Sequence, residues 1–225
     1  MKQRTVNTVK ITSIAAALFS ALLLATPARA QIGSGWSQFS LSGDFIDYEV
    51  GGVHHQHSIS SFTLPSCWYT KGSYWEKFGL STSDSNRVEH DSNHHFNTGS
   101  VQFQGDLVIH TGISQQSVVQ DFGGGSGRPI CMIKGYGRNN GALVVTRDTS
   151  FDLINNLFNG QKVRVNINHD TGAHKITIYI NGTQKWSGGD AGTSYTGSYN
   201  FKYGLYGSFN AATYTYWENV KFFKK

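Results

Sequence analysis

Short runs in which apolar and polar residues alternate, each cut off by glycine or a turn residue, recur along this chain. "KVRVNINHD" sets Val163, Val165 and Ile167 on one side and Lys162, Arg164, Asn166 and Asn168 on the other. "HKITIYINGTQKW" does the same with Ile176, Ile178 and Ile180 against Lys175, Thr177 and Tyr179. In "YNFKYGLYGS", Phe201, Tyr203 and Leu205 oppose Asn200, Lys202, Gly204 and Tyr206. A period of two belongs to a half-buried strand and cannot stay amphipathic on a helix. Asn181-Gly182 lies inside the second run, and both residues tolerate positive φ, so the spacing predicts a tight hairpin there. "SVQFQGDLVIH", "QQSVVQDFGG" and "TYTYWENVKFF" read as further strands. With 26 glycines between them, the pattern predicts an all-β sandwich or barrel. One helix is expected, over "SFDLINNLFNG" (150–160), with Ser150 or Asp152 as cap and Gly160 as stop. Lys224 and Lys225 read as a frayed end.

The first thirty residues carry a different signal. Lys2, Arg4 and Lys10 precede the apolar run "ITSIAAALFSALLLA", and "TPARA" places Ala28 and Ala30 where a signal peptidase reads small side chains. Residues 1–30 are the expected signal peptide and 31–225 the expected mature domain, exported to the periplasm or medium. The apolar run is short for a bilayer span, so no membrane association is expected after cleavage. The chain has 19 basic and 14 acidic residues, and four of the basic ones lie in 1–30. The mature part is left with 15 against 14, a net charge of +1. That balance does not recommend a nucleic-acid partner. Cys67 and Cys131 are the two cysteines. In an exported protein they pair if the fold brings them within reach, which spacing does not decide.

Four stretches carry candidate chemistry. In "SNRVEHD", alternation puts Arg87, Glu89 and Asp91 on one face and Val88 and His90 on the other, and a glutamate two residues from an arginine can hold its guanidinium flat for a carboxylate ligand. In "VVQDFGGG", Gln120 interrupts an apolar strand and needs a hydrogen-bond partner, structural or ligand. Lys202 and Tyr206 share the polar row of "YNFKYGLYGS", and "YTYWENVKFF" closes the chain. The histidines of "HHQH" (54–57) and "NHHF" (93–96) lack recognised metal-ligand spacing, and neither metal nor cofactor is expected. Glu89-His90-Asp91-Ser92-Asn93-His94 is similar to a Glu-x-Asp-x-x-Glu hydrolase strand, but His94 stands where the second carboxylate is needed.

Taken in order, "RVEHD", "VQFQGDLVI", "VVQDFGG", "VNINHDTGAHKITIYING", "NFKYGLYG" and "YWENVKFF" resemble the alginate-lyase superfamily. That group comprises polysaccharide lyase family 7, the glucuronan lyases of family 20 and the plant citrate-binding proteins. The resemblance runs from about residue 85 to the C-terminus, and more loosely back to about residue 40. It implies a concanavalin A-like β-jelly roll of two antiparallel sheets, and a lyase acting on an acidic polysaccharide of uronic acids by β-elimination. In that chemistry a neutralised carboxylate lets a base remove the C5 proton, and an acid protonates the departing O4. The resemblance assigns Arg87 and Gln120 to the carboxylate, Tyr206 as acid and potential base, and Lys202 as nearby positive charge. Glu89 would orient Arg87, and Asn200 and Tyr179 complete the expected sugar contacts. Gly204 is expected to leave room for the sugar, and the aromatic stretch "CWYTKGSYWEKFG" (67–79) to cover the site as a loop.

Three positions depart from the family 7 pattern. Phe122 replaces its histidine, Asp91 its second arginine and Asn200 its first tyrosine. If the base is a histidine and not Tyr206 itself, it would have to come from His54, His55, His57, His90, His94 or His95, with His90 facing away from Arg87 by parity. The alternative function is a non-catalytic module of the same fold that binds carbohydrate or an organic acid.

Overall fold

A computed structural model describes residues 33–82, 84–123, 128–147, 149–190, 197–208 and 211–225. The expected signal peptide lies outside them. Among the described residues, seventeen strands, β1 to β17 in chain order, form two antiparallel sheets. The nine-stranded sheet runs β15 (Thr183–Gly189), β14 (Lys175–Ile180), β13 (Val163–Asp170), β8 (Ser100–Ile109), β17 (Thr213–Lys224), β6 (Trp75–Leu80), β5 (Cys67–Lys71) and β4 (Phe62–Thr63), with β1 (Ser37–Phe39) also paired to β17. The eight-stranded sheet runs β12 (Ser150–Ile154), β11 (Ala142–Thr146), β10 (Arg128–Tyr136), β9 (Gln116–Gly123), β16 (Tyr199–Tyr206), β7 (Arg87–Asp91), β2 (Phe45–Val50) and β3 (Val53–His57). This is the jelly-roll sandwich. Among the described residues, no helix is long and apolar enough to cross a membrane.

The alternation sorts side chains as the pattern predicts. Val163, Val165, Ile167, Ile176, Ile178, Ile180, Phe201, Tyr203 and Leu205 all enter the dry layer between the sheets. Phe103 is the hub of that layer, with Trp217 edge-on at 5.4 Å and Tyr203 and Phe201 at 5.5 and 5.8 Å between ring centroids. Each such buried ring contributes about 2–3 kcal/mol. Asn181 and Gly182 turn the β14–β15 hairpin at φ 50 and 81.

Polar groups also bridge the layer. His90 of β7 places Nδ1 2.8 Å from Glu76 Oε1 of β6, and Nε2 2.7 Å from Asp44 Oδ2. The hydroxyls of Tyr69 and Tyr203 both donate to Glu76. Burial works against a charge on His90, but Glu76 and Asp44 outweigh it and raise its pKa to about 9. At the other end, His169 of β13 lies 2.8 Å from Asp121 of β9 and 3.2 Å from Asp190, all fully buried.

Several expectations are corrected. Residues 150–154 are the edge strand β12, paired to β11 with Val144 opposite Asp152. Leu153 and Leu157, four apart and both buried, imitate helical spacing, but the left-handed Asn156 (φ 64) prevents a helix from continuing. The 67–79 stretch is the β5–β6 hairpin, an integral part of the nine-stranded sheet and not a covering loop. The C-terminus is tied down: Lys225 and Ser100 exchange backbone hydrogen bonds of 2.9 and 3.0 Å. Cys67 and Cys131 are free and buried, on different sheets.

Gly204 is required by the neighbouring strand and makes no room for a ligand. It sits at φ +140, and a Cβ there would stand 2.5 Å from the Val88 carbonyl oxygen and 2.9 Å from Glu89 Cα. Gly204→Ala is therefore expected to cost about 3 kcal/mol through strain and overpacking. Thermal unfolding followed by circular dichroism should show a Tm lower by roughly 10 °C.

Candidate functional site

Three central strands and one neighbour build a charged face on the outside of the eight-stranded sheet. In the ladder between β16 and β7, Tyr206 stands opposite Arg87, Gly204 opposite Glu89 and Lys202 opposite Asp91. On its other side Lys202 stands opposite Gln120 of β9, and β2 brings Asp47 opposite Glu89. Directly opposed residues of an antiparallel pair project to the same side, so these side chains meet.

The contacts form one network. Arg87 Nη1 donates to Asp47 Oδ2 at 2.7 Å, and Arg87 Nε lies 3.5 Å from Glu89 Oε2. Gln120 donates its amide N–H to the other oxygen of Glu89. Lys202 Nζ is 2.8 Å from Asp91 and 3.5 Å from Asp47, with the Phe122 ring centroid 4.7 Å away. Burial pushes the Glu89 carboxyl up to about 7, against the pull of Arg87, Lys202 and the Gln120 hydrogen bond. Burial would lower the Lys202 pKa, but Asp91, with Glu89 and Asp47, holds it above its ordinary value.

The edge nearest β3 is more open. The Arg87 guanidinium lies over the Tyr206 ring, 4.5 Å from its centroid. His54, whose side chain is 56% exposed, stands with Nδ1 3.5 Å from Arg87 Nη1, and with Nε2 3.3 Å from Glu49. A cation is thus flanked by a phenol and an imidazole, both capable of moving protons.

The sequence-predicted residues separate into two groups. Arg87, Glu89, Gln120, Lys202 and Tyr206 converge. Gln120 is buried with its amide committed to Glu89, which makes it a support for the network and no free grip for a ligand carboxylate. Asn200 is buried and donates to Asp91 Oδ1 at 2.6 Å, an internal role in place of the expected sugar contact. Tyr179 is not part of this face at all: it lies on β14 opposite Asn166, in the other sheet. Of the histidines, His90 points between the sheets and His54 stands at Arg87. His94 and His95 lie by Phe39 and Ser198, and His55 stacks on Tyr48.

Sequence reasoning did not single out Asp47. Alternation in "FIDYEV" separates Asp47 and Glu49 from Ile46, but only the β2–β7 register reveals that Asp47 reaches both Arg87 and Lys202. Among the described residues, no group of three or more His, Cys, Asp or Glu side chains is placed to hold a metal ion.

Fold and face together define a jelly roll with an ion-paired polar surface on one sheet. No protein-family model matches the sequence. A citrate-binding protein of Hevea brasiliensis is 31% identical over 135 residues, 58% of this chain and 52% of that protein. The chain thus spans about half the length of the curated relative it matches. Alginate lyase AlyC3 superposes with a TM-score of 0.63 at 12% identity, over 80% of this chain and 89% of that one, and has also been solved with dimannuronate. The marine PL7 alginate lyase AlyA1 of Zobellia galactanivorans gives 0.58 at 13% identity, over 84% and 95%. The fold is that of the alginate-lyase jelly rolls.

The buried Glu89 carboxyl leaves a signature in stability. The folded protein keeps its proton to about pH 7, whereas the ordinary glutamate value is 4.5. Between those values the folded state binds more protons, so this group's stabilising contribution, complete below pH 4.5, is lost as pH rises through 7. In Glu89→Gln that decline, up to about 3 kcal/mol, should vanish. Denaturant titrations of both proteins from pH 4 to 8 read it as a changing difference in ΔG.

Proposed function

We propose that the protein is a secreted or periplasmic lyase that cleaves a uronic-acid polymer, of glucuronan or alginate type, at the face built on Arg87. The observation that carries this reading is the guanidinium flanked by the Tyr206 ring and the His54 imidazole. The alginate-lyase fold supports it. Arg87 pairs with the carboxylate of the uronate, competing with Asp47 for that place, and so stabilises the charge that develops on deprotonation at C5. His54 or Tyr206 takes the C5 proton. The electron pair forms the C4–C5 double bond as the C4–O4 bond breaks, and Tyr206 returns a proton to O4. Lys202 contributes fixed positive charge behind Arg87. Glu89 and Gln120 are positioning residues for the guanidinium.

A second reading is supported by Phe122, which stands where the resemblance expects a histidine, and by the citrate-binding relative. On that reading the same face binds a carbohydrate or organic acid without turning it over.

One experiment separates them. The mature protein is incubated with glucuronan, polymannuronate and polyguluronate, and the ultraviolet absorbance of unsaturated uronate products is followed. A rise on any of these polymers is expected. Tyr206→Phe should reduce the rate at least about 100-fold, the scale of a lost proton-transfer group, with binding retained. Binding without any rise in absorbance would assign the binding role, and full activity of Tyr206→Phe would remove Tyr206 from the chemistry.

A further inference from the structure

The β5–β6 hairpin turns an aromatic row to the outside of the nine-stranded sheet. Cys67, Tyr69, Phe78 and Leu80 of the hairpin enter the core. Parity therefore sends Trp68, Trp75 and Lys77 outward. Trp68 stands opposite Gly79 in the ladder, and Gly72 donates its backbone N–H to the Trp75 carbonyl. Each indole fills the place that a side chain would take on the glycine across from it. A Cβ on Gly79 would meet Trp68 ring atoms at 2.0–2.3 Å, and one on Gly72 would meet Trp75 ring atoms at 2.2–2.8 Å. Both indoles thus lie across the neighbouring strand. Both are half-buried, so part of each ring meets solvent. Tyr214 and Tyr216 of β17 flank them, 6.3 Å from Trp68 and 5.8 Å from Trp75 between ring centroids.

Lys77 sits in the middle of this row. Its Nζ lies 3.9 Å from the Tyr214 ring centroid and 5.3 Å from that of Trp68. Among the described residues it has neither an ion pair nor a hydrogen bond. The cation–π contacts account for its place and leave its three donors open. Nearby cations on the same face are answered, Arg164 by Asp106 at 2.7 Å and Lys162 by Glu218. Glu218, opposite Trp75, is also held by the Tyr216 hydroxyl at 2.8 Å. One open positive charge therefore stands between two indoles. Outward residues recur at every second position, so the row from Gly79 through Lys77 to Trp75 runs about 13 Å. Indoles take the apolar faces of sugar rings, and the ammonium takes an anion carried on such a ring. A neutral chain would leave Lys77 unanswered, and a polyanion without rings would leave the indoles bare.

We propose that the outer face of the β5–β6 hairpin is a second binding site, for a sugar chain bearing carboxylate or sulfate groups. It lies on the opposite side of the sandwich from Arg87, and it is independent of whether the Arg87 face performs chemistry.

The test is a titration of the ¹⁵N-labelled mature protein with oligomannuronate, a sulfated glucan oligosaccharide, a neutral glucan oligosaccharide and poly-L-glutamate, reading the indole N–H cross-peaks. Trp68 and Trp75 are assigned by the peaks lost in Trp68→Phe and Trp75→Phe, which keep a ring over each glycine. If either variant does not fold, assignment is by elimination with Phe variants of the other tryptophans. Saturable shifts of both peaks are expected with at least one acidic oligosaccharide, and which one binds identifies the anion. The shifts should persist in Tyr206→Phe, whose change is on the other face. Lys77→Gln should weaken the affinity about fivefold. The proposal is overturned if neither acidic oligosaccharide moves these peaks, if the neutral glucan or poly-L-glutamate binds as tightly, or if Lys77→Gln leaves affinity unchanged. It is also overturned if the shifts vanish in Tyr206→Phe, or if raising the protein concentration alone produces them, which would assign the face to a second copy of the chain.

Discussion

Side chains of a strand alternate between two faces, and β7, β9 and β16 have no choice but to serve both at once. Their inward residues, Val88, Val119, Phe201 and Tyr203, close the dry layer, while the residues between them build the charged outer face. Adjacent residues of β7 show what this demands. Glu89 is buried on the outer face with Gln120 and Arg87, and His90 is buried on the inner one with Glu76 and Asp44. Charges this deep persist only when paired, and removing one partner strands the other at a cost of about 3–5 kcal/mol. The packing of the sandwich and the geometry of its polar face therefore stand or fall together.

What the sequence made legible follows the reach of this alternation. The strands, the Asn181-Gly182 turn, the shared face of Arg87 and Glu89 and that of Lys202 and Tyr206 are all statements about parity, which a single strand contains, whereas the meeting of those two rows was implied by the family resemblance alone. Residues 150–160 misled because an edge strand followed by a turn placed Leu153 and Leu157 at helical spacing. Tyr179 misled because parity says which side of a sheet a residue occupies, but not which sheet. Asp47 stayed hidden, and His54 could not be told apart from the other candidate histidines, because their roles depend on which strands become neighbours, a decision made by the whole topology. Even parity fails locally: Val118 and Val119 are both in the core, where the ladders on either side of β9 shift register.

Phe122 has a physical effect beyond replacing a histidine. Its ring covers the Lys202 ammonium at 4.7 Å and keeps water from a cation that three carboxylates already surround. The face thus has a sheltered end, where Lys202, Asp91 and Asn200 lock one another, and an exposed end, where Arg87 meets Tyr206 and His54. On the proposed reading, ligand chemistry belongs to the exposed end, and the sheltered end fixes where that end points.

The sharing of Asp47 between Arg87 and Lys202 reaches beyond the site itself. Positive and negative groups interleave here within a few ångströms, as the 2.7 and 3.5 Å contacts of that one carboxylate show. Two cations, Arg87 and Lys202, stand among the three carboxylates of Asp47, Glu89 and Asp91, so the cluster projects no net positive field beyond the screening length of about 8 Å in physiological salt. The face therefore has little power to draw a charged chain in from solution. A charged polymer of the kind proposed as substrate would have to be caught by touch, at an ordinary unsteered encounter rate that ionic strength alters little.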